Sequence, residues 1–155
     1  MDEYSTERLE AIFWRRHSNP KSGWSRVPTG PLLVYAIYRR NWRLSFALLV
    51  WAALNPVLFS PPATEDAWMT RVVLAERWWV REEANGTIGL TCPNIYNTVG
   101  GLAFAYSLYA AWRKRPVGAT FGAIVASGLK LWWVNVLVRR YDASATERTS
   151  PRLPG

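Results

Sequence analysis

Long uncharged stretches alternate with short basic clusters along this chain. No charged residue falls between Val27 and Tyr38, between Leu44 and Thr64, or between Ala84 and Trp112, and Lys130 is the single charge between Pro116 and Val138. A membrane helix takes about 20 mainly apolar residues, so the pattern predicts membrane segments over residues 28–40, 43–59, 93–112 and 117–138. The first is the shortest; it reaches the needed length only if Arg39 and Arg40 snorkel or the helix is partly inserted. Two further helices read as interfacial. Residues 6–17 place Leu9, Ile12 and Phe13 on one side and Glu7, Glu10 and Arg15 on the other. Residues 65–81 begin with Glu65 and Asp66, which favour a helix N-terminus, and gather Trp68, Met69, Val72, Val73, Trp79 and Val80 on one arc. Ser18–Pro31, with three prolines and two glycines, reads as a turn-rich loop. The polar stretch 142–155 reads as a disordered tail. The expected fold is therefore all-α: one polytopic helical membrane domain over 1–141, with about four membrane segments, an amphipathic N-terminal helix and an interfacial helix.

Composition sharpens this reading. Ten tryptophans and seven tyrosines among 155 residues suit membrane interfaces, where the ring is apolar and its N–H or O–H stays wet. The competing reading packs the same segments as the core of a soluble four-helix bundle. The net charge of +8 raises the question of nucleic acid. However, the cations (Arg15, Arg16, Lys21, Arg26; Arg39, Arg40, Arg43; Arg113, Lys114, Arg115; Arg139, Arg140) flank apolar segments and form no nucleic-acid motif. Anionic membrane lipid is the expected partner, and no nucleic acid. A homo-oligomer or a membrane-protein partner stays open. One cysteine and one histidine leave no disulfide, thiolate cluster or multi-His site, so neither metal nor cofactor is expected. No phosphate-binding glycine loop, G-x-S-x-G elbow or H-E-x-x-H pair occurs, which weighs against the common enzyme classes without excluding acid–base work.

Candidate chemistry begins at Lys130. Ala126, Gly122 and Gly118 precede it at four-residue steps, a small-residue face that admits another helix closely. An ionisable group on such a face is rare and usually partnered. Glu76 lies within the apolar arc of its own helix and is costly to bury unless paired, hydrogen-bonded or protonated. With four spans, the N-terminal region, the Ser60–Cys92 connection and the tail share one side, and the Arg39–Arg43 and Arg113–Arg115 turns share the other. His17, Asn19, Ser22, Arg26, Asn55, Glu76 and Lys130 then converge at one end of the bundle. Each also has a plain structural reading. Asn19-Pro20 and Asn55-Pro56 are turn and helix-end signals, Arg26 suits a phosphate anchor, Glu76 a salt bridge, and Lys130 a snorkelling cation. Loop charge leans towards placing the short arginine turns in the cytoplasm.

The run His17-Ser-Asn-Pro-Lys-Ser-Gly-Trp-Ser-Arg26, then Asn55-Pro-Val-Leu-Phe59, then Ala75-Glu76-Arg77, resembles a family of small uncharacterised prokaryotic integral membrane proteins. Its pattern is H-x-N-P-x-S-x-x-x-R, then N-P-x-x-F and a later G-E-R-like element. The likeness spans Phe13 to Trp79, and Ala75 stands where the pattern has glycine. It implies a domain of unknown function in the cell membrane, with motif positions at His17, Asn19, Pro20, Ser22, Arg26, Asn55, Pro56, Phe59 and Glu76. Two function classes follow: a binding, scaffolding or accessory membrane protein, or a membrane enzyme or transporter-like protein acting on a lipid headgroup or small anion.

Overall fold

The structure, a computed structural model, describes residues 3–149, which form helices and no strand. In chain order these are α1 (Glu3–His17), α2 (Pro20–Arg26), α3 (Thr29–Tyr38), α4 (Trp42–Leu58), α5 (Trp68–Arg81), α6 (Asn94–Trp112) and α7 (Pro116–Thr149). The four uncharged stretches are α3, α4, α6 and α7, but they differ in reach. At 1.5 Å per residue, the ten residues of α3 extend about 15 Å, half the hydrocarbon thickness of a bilayer. Among the described residues, α7 is the helix long and apolar enough to cross a membrane, and α4 is a shorter apolar helix.

Three expectations need correction. Residues 20–26 are not loop but helix. Asn19 caps them by accepting from the Lys21 amide at 2.8 Å, and Pro20 occupies the first turn, where no N–H is needed. Gly23 is buried against α5; a Cβ there would fall 2.0 Å from Met69 Cγ. The helix after Pro62 starts at Trp68 rather than at Glu65. Its buried face takes in Ala75 and Trp78, while Val80 turns outward. Finally, residues 142–149 continue α7, and Asp142 pairs with Arg71 of α5, an ion pair that carries the helix past its apolar part. Residues 150–155 of the expected tail lie outside the described residues.

Two cores hold the molecule. In one, Met69, Val72, Ala75, Trp78 and Trp79 of α5 pack on Trp133, Val134, Leu137 and Val138 of α7. In the other, Val34 of α3 meets Ala110 and Ala111 of α6 and Ala119 and Ala123 of α7. Small residues let α6 and α7 approach closely. A Cβ on Gly122 would sit 2.9 Å from Ser107 Cβ and 3.0 Å from the Ala103 carbonyl, and Ser107 Oγ donates to the Ala119 carbonyl at 2.6 Å.

The α3–α4 and α6–α7 turns are copies of one another. Tyr35-Ala36-Ile37-Tyr38-Arg39-Arg40-Asn41 and Tyr109-Ala110-Ala111-Trp112-Arg113-Lys114-Arg115 make the same three backbone bonds, including Asn41 N to Ala36 O and Arg115 N to Ala110 O. That is the helix ending normally closed by a left-handed glycine. Here Arg40 and Lys114 take the left-handed conformation, each at φ 58°. Each cation then reaches the other turn. Arg40 donates to the Trp112 carbonyl at 2.8 Å and lies 4.1 Å over its ring, while Lys114 donates to the Tyr38 carbonyl and lies 5.0 Å from that ring centre. This reciprocal clasp closes the basic end of the bundle.

Candidate functional site

At the opposite end, the α1–α2 corner closes over the C-terminus of α4. The last carbonyls of any helix lack intrahelical partners, and Pro56 removes a further amide donor. Side chains of the corner supply donors there. Arg16 Nη1 bonds the Val57 carbonyl at 2.9 Å, and Asn19 Nδ2 bonds the Ser60 carbonyl at 2.7 Å. Asn55, wholly buried, accepts from Ser22 Oγ at 2.7 Å and donates to Ser25 Oγ at 2.8 Å. Ser22 is wholly buried too and Ser25 half-buried, and the three side chains satisfy one another.

His17 and Arg26 extend the corner towards α5. Arg26 Nη1 lies 3.2 Å from His17 Nε2, and Arg26 Nε donates to the Ser22 carbonyl at 3.3 Å. A guanidinium only donates, so His17 Nε2 is the acceptor and its proton resides on Nδ1. His17 Nδ1 is buried without a hydrogen-bond partner, and the ring stacks on Phe13 at 5.3 Å with Trp14 against its edge. Burial, helped by the Arg26 charge, lowers the His17 pKa from 6.5 to about 4, so the ring is neutral near neutral pH. Burial also pushes the Arg26 pKa down, and the carboxylate of Glu76 opposes that push.

Lys130 meets Glu76 across α7 and α5 at 3.2 Å and lies 4.1 Å over the Trp133 ring. Its side chain remains 51% exposed, so it is a paired cation at the rim of the helix packing and not a buried one. Arg26, Glu76 and Lys130 all line a cavity of about 710 Å³ bounded by α2, α3, α5, α6 and α7.

The seven candidate residues thus form two adjoining groups. Asn19, Ser22 and Asn55 tie α2 to α4; Glu76 and Lys130 edge the cavity; His17 and Arg26 join the two. Ser25, Asn97 and Thr98 belong to the same surroundings. Ser25 follows Ser22 by three residues, one helical turn, a spacing that becomes informative only once residues 20–26 are known to be helical. Among the described residues no group of three or more His, Cys, Asp or Glu side chains is placed to hold a metal ion.

The class defined here is an all-α bundle with a capped polar corner and an adjoining amphipathic cavity. The chain belongs to the family of unknown function DUF6653, whose model matches residues 5–153. No match is found among curated proteins or solved structures.

Proposed function

We propose that this protein is an integral protein of a prokaryotic cell membrane with a binding or accessory role, exercised through the polar site at the His17–Lys130 end. One observation carries the membrane placement: large apolar side chains stand exposed along α4, α6 and α7, and between the arginine turns and Lys130 no charge interrupts them. Phe46 is 69% exposed, Leu102 67%, Phe121 66% and Ile124 65%. A soluble monomer rarely exposes so many large apolar side chains on its helices, whereas lipid tails cover them without cost. Arg39, Arg43, Arg113 and Arg115 rim one end of this band, beside Trp42 and Trp112, whose rings lie 5.8 Å apart. Such a rim suits a headgroup layer. In this setting α7 crosses, α4 and α6 accompany it, and α3 inserts partway with its end extended by Arg39.

His17 supports binding over catalysis. Its Nε2 is engaged by Arg26 and its Nδ1 is buried without a hydrogen-bond partner, an arrangement that does not suit a proton shuttle. The imidazole fixes the guanidinium instead, making it a positioning residue. Alkaline extraction of cell membranes tests the placement. The full chain is expected to stay with the lipid pellet; release into the supernatant would replace this reading with a soluble bundle.

A further inference from the structure

The geometry points to an anionic phospholipid of the surrounding bilayer as the occupant of the α2–α3–α5–α6–α7 cavity, its phosphate held by Arg26 and Lys130 and one acyl chain directed towards Phe104. This rests on the membrane placement above and goes beyond it by naming a ligand and its orientation.

Four observations carry the inference. The cavity, about 710 Å³, is of the size that encloses small amphiphiles. Its lining is amphipathic. Arg26, Glu76, Asn97, Thr98 and Lys130 are among its polar members, and on α6 Asn97 and Thr98 precede Leu102 and Phe104. At 1.5 Å per residue the step from Asn97 to Phe104 covers about 10 Å, which separates polar from apolar lining along that helix.

The polar lining also carries excess positive charge. Arg26 and Lys130 share the single carboxylate of Glu76, and His17 is neutral. The nearby acids are used elsewhere, Asp142 by Arg71 and Glu10 by Arg81. Arg26 is held at Nη1 and Nε, which leaves Nη2 without a hydrogen bond among the described residues. A fixed guanidinium with a spare donor suits a phosphate oxygen. Lastly, the space is not an accident of tight helix packing. A Cβ on Gly101 would meet nothing within 4 Å, and one on Gly30 would meet Phe104 at an ordinary 3.5 Å.

The test is native mass spectrometry of the full chain in detergent. It is titrated with phosphatidylglycerol, phosphatidylcholine of the same acyl chains, free oleate and inorganic phosphate. One phosphatidylglycerol should be retained, with phosphatidylcholine and oleate about tenfold weaker and phosphate alone unbound. Arg26→Gln and Lys130→Gln should each weaken phosphatidylglycerol about tenfold. Glu76→Gln should tighten it, because the competing carboxylate is gone; a merely structural salt bridge would not produce that sign. Gly101→Leu, which fills open space on a helix, should abolish binding while the thermal midpoint is kept. Equal retention of both phospholipids, or undiminished binding by Gly101→Leu, would overturn the assignment. If the chain also stays in membranes at high pH, only this assignment falls. Release at high pH together with binding of oleate and no phospholipid would overturn the membrane placement as well.

Discussion

Acidification should loosen the α1–α2 corner through one side chain. In the folded chain His17 binds a proton only near pH 4, whereas in the unfolded chain it does so near 6.5. Above pH 6.5 both states hold a neutral ring and the residue adds no pH dependence. As pH falls from 6.5 towards 4, the unfolded chain takes up a proton that the folded chain refuses, so stability declines; below 4 both are protonated and the decline stops. At 1.36 kcal/mol per pH unit the interval is worth on the order of 3 kcal/mol, or about 6–12 °C in Tm for a chain of this size. The charged group at hydrogen-bond distance is Arg26, which cannot relieve the imidazolium, and the ring packs against Phe13 and Trp14. The assay is tryptophan-monitored thermal unfolding in detergent from pH 7.5 to 4.5, wild type against His17→Gln. Carboxylates titrate alike in both proteins and cancel in the difference. Glutamine can still accept from Arg26 but carries no proton to titrate, so its Tm should fall less as pH drops. Parallel curves would refute the reasoning.

Four further outcomes follow from the packing. Asn55→Ala removes the buried side chain that joins Ser22 to Ser25 and should cost about 1–3 kcal/mol in chemical denaturation; an effect below about 1 kcal/mol would mean the network is dispensable. Gly122→Leu drives carbons into Ser107 and the Ala103 carbonyl and should destabilise by about 1–3 kcal/mol. Gly101→Ala, open and helical, should be neutral or gain up to about 1 kcal/mol in the same assay. Replacing both Arg40 and Lys114 by alanine removes the clasp while keeping the strained left-handed turns. Increased hydrogen exchange at residues 38–42 and 112–116, with the α5–α7 core unaffected, is the expected result.

The helices were legible because charge marks their ends: each uncharged stretch became a helix, starting or stopping within a residue or two of an arginine cluster or a proline. Glu76 and Lys130 were legible for a related reason, since each interrupts an apolar face and such a charge needs a counterpart. What could not be read depends on contacts distant in sequence. Residues 20–26 carry turn-forming residues, yet they fold as a helix because Asn19 caps them and Met69 accepts Gly23 at close range. The polar run after Asp142 lacks an apolar face, yet Arg71 holds its start in α7. The role of Asn19 and Ser22 as donors to the end of α4 depends on the α1–α2 corner folding back across it. The repeated turn escaped because its left-handed position holds Arg40 and Lys114 where glycine is the usual signal.

The central claim is that the exposed apolar band of α4, α6 and α7 faces lipid while the polar site end meets water. Cys92 is the sole cysteine, is exposed and lies on the connection before α6. In sealed and in opened membrane vesicles, maleimide labelling of Cys92 would be compared with that of Leu102→Cys and Phe121→Cys in a Cys92→Ser background. Maleimide reacts with a hydrated thiolate. The account predicts that Cys92 labels once its side of the membrane is reachable, while both band positions stay unlabelled until detergent is added. Labelling of Leu102→Cys and Phe121→Cys as fast as Cys92 before detergent would place the band in water and contradict it.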